Sequence, residues 1–143
     1  MTKVNIVMLF HVRDDKMLMC LRLRNPYKGK YNCIGGHVDP GESPLDAAYR
    51  EMYEETGYTR EDVALHPVTT MIYHHSDIEL QTFAGRLVTD KEPHGDENPL
   101  LWMSLSEDFF DRARFAGDGN IGHSLIEASH MPQFSFLKAY LEQ

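Results

Sequence analysis

The sequence predicts a single α/β domain. Short apolar segments separated by polar turns lie on both sides of one strongly patterned helix, as expected for strands that pack against a helix. With 143 residues and 42% hydrophobic content, the chain has room for one globular core and none for a second. We therefore expect one domain that covers residues 1–143.

The composition limits the kinds of molecule that the protein is expected to bind. The formal net charge of -8, from 22 acidic and 14 basic side chains, disfavours a nucleic-acid polymer, because such binding depends on many Lys and Arg contacts. No apolar run approaches the roughly 20 residues needed to cross a bilayer, so no membrane partner is expected. Cys20 and Cys33 have neither a metal-type spacing nor a disulfide framework. A protein of the reducing cytoplasm, monomeric or homodimeric, is the simplest expectation.

The N-terminal third is predicted to be mostly extended. Apolar segments at 3–12 and 17–23 are joined by the polar turn 13–16, and a third short strand is predicted at 31–34. The intervening segment 25–30 contains Pro and Gly and is predicted to be a loop. Two consecutive glycines follow the third strand.

The clearest helix begins at Ser43 and ends at Gly57. Ser43 is a typical N-cap, Pro44 suits the first helical position, and Gly57 is a typical stop. Four apolar residues at i, i+3, i+4 and i+7 predict a stripe that packs on a sheet: Leu45, Ala48, Tyr49 and Met52.

Beyond this helix the patterns are shorter. Two strands are predicted at 63–73 and 78–88, and another at 100–105. Weaker helical patterns cover 106–112 and 134–141. The glycine-rich stretch 115–123 is predicted to be an ordered loop.

Three carboxylates share one face of the helix. At about 100° per residue, Glu51, Glu54 and Glu55 lie within an arc of roughly 100°, apart from the apolar stripe. Like charges at this spacing repel by about 0.2 to 0.5 kcal/mol per pair. Arg50 can pair with Glu54, but one guanidinium cannot neutralise three acids. Hard oxygen ligands suit Mg²⁺ or Mn²⁺, and the alternative is an ordinary solvated acidic face.

The loop before the helix makes a family resemblance specific. Its glycines, Gly35, Gly36 and Gly41, let the backbone approach a ligand closely. With the helix, the segment resembles the Nudix box, Gly-x5-Glu-x7-Arg-Glu-U-x-Glu-Glu-x-Gly-U. The matching residues are Gly36, Glu42, Arg50, Glu51, Met52, Glu54, Glu55, Gly57 and Tyr58.

This resemblance implies an α/β/α sandwich around a mixed sheet and metal-dependent hydrolysis of a diphosphate linkage. It implies that Glu51, Glu54 and Glu55 bind Mg²⁺ or Mn²⁺, with the Gly35 carbonyl completing the shell, and that Glu51 and Glu54 are catalytic. Glu51 or a nearby acid would deprotonate the attacking water. Glu42 and Arg50 would be structural and hold the loop against the helix.

Outside the box the chain resembles the MutT-like branch, which includes 8-oxo-dGTP diphosphatases. This implies cleavage of a nucleoside triphosphate to monophosphate and pyrophosphate. The run Lys30 to Gly36 is similar to that branch and makes Asn32 the candidate for base recognition. Glu97, in the Asp96-Glu97 pair, lies where the branch carries an additional acid near the metal; the alternative is an ordinary loop acid.

Other substrate contacts are predicted from charge and polarity. Arg22, Arg24, Lys28 and Lys30 precede the box and are candidates to neutralise a triphosphate, or are ordinary surface charge. The distal loop offers further hydrogen-bonding groups at Asp118 and Asn120.

Several alternatives stay open. The same box serves hydrolases of ADP-ribose, nucleotide sugars and dinucleoside polyphosphates. A non-catalytic nucleotide sensor is a second class, although such domains usually lose box glutamates, and all are present here. Isomerisation of a prenyl diphosphate is a third, for which Cys33 fits poorly because it is better suited to a buried position.

Overall fold

The computed structural model describes residues 1–95 and 97–141; Asp96 and the last two residues of the predicted domain lie outside the described part. The strands are β1 (Thr2–Phe10), β2 (Lys16–Leu21), β3 (Tyr31–Asn32), β4 (Ile34–His37), β5 (His66–Tyr73), β6 (Ile78–Arg86) and β7 (Leu100–Ser104). The α-helices are α1 (Pro44–Thr56), α2 (Asn120–Ser129) and α3 (Lys138–Leu141), with a 3₁₀ helix at Pro132–Leu137.

The strands form a mixed sheet with the order β3-β2-β1-β6-β5. Strands β1 and β6 run parallel from the pair Thr2 and Ile78 to the pair Phe10 and Arg86. The other pairings are antiparallel, and β4 and β7 extend the sheet by pairing with β1 and β2.

The two faces of the sheet bury different layers. Along β1, Val7 and Leu9 pack in one core with α1, whereas Ile6 and Met8 pack in the other core with α2 and the C-terminal helical segment. This alternation follows from the two-residue period of a strand. The α/β/α sandwich predicted for the chain is confirmed.

Helix α1 begins and ends where its sequence predicts. The Ser43 hydroxyl accepts the Asp46 N–H at 3.1 Å, and Gly57 adopts a left-handed φ of 81° after the last turn. The predicted stripe is wrong at Leu45, which is 36% exposed, whereas Ala47, outside the predicted stripe, is buried.

Several predicted boundaries are wrong, and the strand predicted at 31–34 is divided at Cys33 into β3 and β4. Strand β2 ends at Leu21, so the segment 22–24 belongs to the following loop. The helix predicted at 106–112 is a series of turns, in which the Asp108 and Asp111 carboxylates accept backbone N–H groups and so compete with helical hydrogen bonds.

The predicted loop 115–123 instead contains the beginning of α2, at Asn120. The glycines at 117 and 119 favour a loop prediction, although a helix begins directly after them. The last pattern, 134–141, is helical as predicted, first as a 3₁₀ helix and then as α3. Within the described ranges, no helix is long and apolar enough to cross a membrane.

Candidate active site

The segment before α1 contains Gly35, Gly36 and Gly41, and we call it the glycine loop. Arg50 links this loop to α1. Its Nε donates to Glu42 Oε2 at 2.8 Å, and its Nη2 donates to Glu42 Oε1 and to the His37 carbonyl, each at 3.0 Å. These bonds lower the pKa of the Glu42 carboxyl. The contact therefore has the geometry predicted for a structural pair.

The glycines allow the loop and helix to touch. A Cβ at Gly36 would lie 2.6 Å from the Glu51 carboxylate carbon, and a Cβ at Gly35 would collide with the Asn5 backbone. Gly35 also has a φ of 146°, and its N–H donates to Glu55 Oε2 at 3.0 Å. Only glycine therefore fits at position 35, whereas a side chain at position 36 would displace the Glu51 carboxylate.

The box glutamates have three different environments. Arg50 Nη1 donates to Glu51 Oε1 at 3.0 Å and to Glu54 Oε2 at 3.3 Å. Burial raises the pKa of Glu51, and burial together with the nearby Glu51 and Glu97 raises the pKa of Glu55 to about 8, although the Gly35 N–H opposes this. The site concentrates negative charge in a poorly solvated place, which a bound cation would relieve.

Glu97 comes close to the helix through the loop that follows β6. His94 N–H donates to the Thr56 carbonyl at 3.1 Å, and a Cβ at Gly95 would collide with the Glu55 carbonyl. A cavity of about 130 Å³ is lined by Glu54, Glu55 and Glu97. We call Glu51, Glu54, Glu55 and Glu97 the acid cluster.

The donor set of the acid cluster fits Mg²⁺ or Mn²⁺ in chemistry, because it consists of carboxylates beside the predicted Gly35 carbonyl. In the described part of the chain, however, no group of three acidic, His or Cys side chains is arranged closely enough to hold an ion. Arg50 and the Gly35 N–H engage the oxygens of the box glutamates. Binding would therefore require these carboxylates to change partners.

A larger cavity of about 280 Å³ opens beside the acid cluster, and we call it the main cavity. Its lining includes Glu55 and Gly35 from the box, together with the predicted substrate contacts Arg22, Asn32, Asp118 and Asn120. The structure thus brings together candidates that are far apart in sequence.

The other predicted cations do not line the main cavity. Arg24 and Lys28 are exposed in the loop after β2, and the Lys30 ammonium lies 5.9 Å above the Tyr27 ring. Arg22 uses its Nε to donate to the Pro26 carbonyl at 3.3 Å.

A hydrogen bond fixes the orientation of the Asn32 amide, and Asn120 is a second amide that lines the main cavity. Asn32 Oδ1 accepts the Cys33 N–H at 2.9 Å, so its Nδ2 is the free end and is a donor. Burial raises the pKa of Tyr73, and a hydrogen bond from the Asn120 amide opposes this. Asn120 Oδ1 is buried with no hydrogen-bond partner among residues 1–95 and 97–141. Asn32 therefore offers a donor and Asn120 an acceptor.

Sequence reasoning missed two aromatic residues that line the main cavity. Tyr27 has a left-handed φ of 66°, which is unusual for a bulky residue, and Tyr73 ends β5. Pro26 and Gly29 beside Tyr27 signal a turn, but nothing local shows that the turn covers a cavity. Only the pairing of distant strands places Tyr73 there.

A more open groove shares Glu97 with the acid cluster. Its lining includes Leu23, His94, Glu97 and Leu100, and we call it the outer groove. No Lys or Arg is among its described lining residues.

Comparison with known proteins agrees with this geometry. A 45-residue stretch is 44% identical to an ADP-ribose pyrophosphatase of Methanocaldococcus jannaschii, but it covers 32% of this chain and only 27% of that relative. Over 147 residues the chain is 28% identical to the uncharacterized Nudix hydrolase YvcI of Bacillus subtilis. The matched region covers 90% of this chain and 88% of YvcI.

The fold is similar to that of a solved C. elegans Ap4A hydrolase, with a TM-score of 0.67, 23% identity, and coverage of 90% of this chain and 96% of that one. The model of the NUDIX domain matches residues 1–117, which include the glycine loop, α1 and the acid cluster. The chain therefore belongs to the Nudix family.

Proposed function

We propose that this protein is a Mg²⁺- or Mn²⁺-dependent pyrophosphohydrolase that converts a nucleoside triphosphate with a guanine-type base into the monophosphate and pyrophosphate. The observation that carries this proposal is the main cavity, which joins the acid cluster to side chains that can read a base. A nucleotide has the same two parts, a charged phosphate end and a flat polar base.

The acid cluster would act on the phosphates. Glu51, Glu54, Glu55 and Glu97, with the Gly35 carbonyl, would hold the metal, which when bound lowers the pKa of water and neutralises charge on phosphoryl oxygens. Glu51 would accept the proton of the attacking water. Arg50 and Glu42 would keep α1 and the glycine loop in register.

The opposite part of the main cavity favours a guanine-type base. Asn32 offers one donor, whereas Asp118 and Asn120 offer two acceptors. A guanine edge presents one carbonyl acceptor beside two N–H donors, which complements this set, whereas an adenine edge offers one donor group. The contacts do not depend on C8, so 8-oxoguanine is included. Tyr27 would stack on the base.

Arg22 is the cation best placed for the triphosphate, because it lines the main cavity. Arg24, Lys28 and Lys30 would contribute only longer-range attraction. The partner of this protein is thus a small nucleotide rather than a nucleic-acid polymer, in line with its negative charge.

A second candidate is a diphosphate with an organic group at each end, such as ADP-ribose or a dinucleoside polyphosphate. The outer groove supports it, because the absence of Lys and Arg from its described lining suits a neutral ring better than pyrophosphate. The archaeal relative named above as an ADP-ribose pyrophosphatase favours the same class.

One substrate panel separates these candidates. Release of phosphate, pyrophosphate and monophosphate would be measured for 8-oxo-dGTP, the normal nucleoside triphosphates, ADP-ribose and a dinucleoside polyphosphate, with and without Mg²⁺. We expect metal-dependent formation of pyrophosphate, fastest from guanine-type triphosphates. Preferential turnover of ADP-ribose or the dinucleotide would favour the second candidate, and no metal-dependent turnover of any compound would favour a nucleotide sensor.

A further inference from the structure

A buried amide donor without an acceptor lies beneath α1. Asn5 in β1 is only 3% exposed, and its Oδ1 accepts the Gly36 N–H at 3.1 Å. This bond fixes the oxygen end of the amide, because an N–H needs an acceptor. Asn5 Nδ2 is buried and has no hydrogen-bond partner in the described residues. A group of this kind in a native protein calls for an explanation.

The strand register places this amide beside Glu51. Since Val7 packs with α1 and Ile6 packs on the opposite face, Asn5 faces α1. Asn5 is the direct partner of Gly36 across β1 and β4, and the Glu51 carboxylate lies over Gly36. Paired residues have Cβ positions roughly 5 Å apart, so the amide and the carboxylate are near neighbours.

Among residues 1–95 and 97–141, no neighbour lies close enough to accept from Asn5 Nδ2. Gln81 is the partner of Asn5 in β6, and its Nε2 donates to Glu79 Oε2 at 3.4 Å. Ala47, one helical turn before Glu51, has no polar side-chain atom. Asn5 also lines the main cavity, so there is room for a water molecule that bridges this donor and the nearby carboxylate.

We propose that Asn5 is a positioning residue that holds the attacking water against Glu51. Asn5 Nδ2 donates to the water oxygen, and the water donates one hydrogen to the Glu51 carboxylate. The second lone pair of the oxygen then faces the substrate.

As this lone pair forms the new bond to phosphorus, the water proton passes to Glu51. The bond from phosphorus to the leaving phosphate oxygen breaks, and its electron pair leaves with that oxygen. The inference rests on the proposed diphosphate hydrolysis, and it is independent of which base or leaving group the substrate carries.

The Asn5→Asp variant tests the role of the Nδ2 donor separately from that of the Oδ1 acceptor. The variant keeps an oxygen for the Gly36 N–H but loses Nδ2. We expect kcat to fall by about 10- to 100-fold, the scale of a misplaced reacting group, with KM changed by less than about twofold. The matched control is Gln81→Glu, which adds a carboxylate to the same face one strand away and should retain kcat.

Three further measurements make the result decisive. Thermal unfolding should show that the Asn5→Asp variant is folded. Electron paramagnetic resonance of Mn²⁺ should show that the variant still binds metal. A high-resolution crystal structure of the wild-type protein should show a water within hydrogen-bonding distance of both Asn5 Nδ2 and Glu51.

Wild-type kcat in Asn5→Asp, equal losses in both variants, lost Mn²⁺ binding, or no ordered water at that position would each overturn the proposal. The kinetics use whichever compound of the panel is turned over, so a wrong base assignment leaves the test intact. If no compound is turned over, the proposed hydrolysis fails, and the crystallographic water decides the role of Asn5 separately.

Discussion

At the scale of single residues, the box glutamates are chemically identical but differ in what surrounds them. Glu54 is exposed and accepts a hydrogen bond from Arg50, whereas Glu55 is half-buried and accepts a hydrogen bond from the Gly35 N–H. Burial of a carboxylate raises its pKa, whereas solvent favours its charged form. Glu54 is therefore the side chain that can change partners at least cost, and its substitution reports on function rather than on stability.

Glu54→Gln should leave the fold intact and lower turnover by orders of magnitude, because it removes one charged oxygen ligand from an exposed position. The measurements are kcat, Mn²⁺ affinity and thermal unfolding, with the exposed Glu61→Gln as the control. We expect the same loss of turnover for Glu51→Gln. A folded Glu54→Gln variant with wild-type turnover would refute the metal assignment.

At the scale of elements, the glycine loop and α1 behave as one unit joined by Arg50. The bidentate contact with Glu42 and the bond to the His37 carbonyl tie the end of β4 to the second turn of the helix. Charge-assisted bidentate pairs are stronger than ordinary surface pairs. Because the loop contributes Gly35 and the helix contributes the glutamates, this pair sets their relative position.

Glu42→Gln should lower stability at neutral pH, and the difference should vanish in acid. The Arg50 hydrogen bonds lower the pKa of Glu42 below its ordinary 4.5 in the folded state. The carboxylate therefore stabilises the fold above about pH 4.5, and this contribution is lost as pH falls through the lowered pKa.

Urea unfolding of the wild type and Glu42→Gln at pH 7, 5 and 3 measures this difference. Asp46→Asn serves as the control, because it removes an exposed pair with Arg60 that should contribute less than about 1 kcal/mol. A difference between wild type and Glu42→Gln that stays constant from pH 7 to 3 would contradict the assigned pair.

At the scale of the whole molecule, the site is formed where segments that are distant in sequence meet. The loop after β6 is held against the end of α1 by the His94 N–H, and Gly95 lies directly on the Glu55 carbonyl. This contact brings Glu97 to the box glutamates. The N-terminal end of α2 brings Asp118 and Asn120 to the other part of the main cavity.

Gly95→Ala should therefore impair activity although it replaces no predicted ligand. Its methyl group would collide with the Glu55 carbonyl oxygen, which belongs to the helix backbone and cannot rotate away. The loop that carries Glu97 must therefore move. We expect kcat/KM to fall by about 10-fold or more, since small displacements in a reacting site are costly. The exposed neighbour Glu92→Ala is the control, and equal activities of the two variants would show that the contact is unimportant.

The sequence by itself determined the approximate positions of most strands, the caps of α1 and the carboxylates of the box, because these depend on local periodicity and on a fixed spacing within one helix. The structure confirms the fold predicted from that segment. It also revises the terminal third, where the Asp108 and Asp111 side chains compete for backbone N–H groups and glycines precede α2.

Only the tertiary structure decided which distant residues share the site. Asn5, Tyr27 and Tyr73 have no local signal, because their positions depend on strand register, a left-handed turn and the pairing of β5 with β6. It also separated Arg22, which lines the main cavity, from Arg24, which does not. Spacing within a helix is encoded locally, whereas proximity between strands is a property of the folded chain.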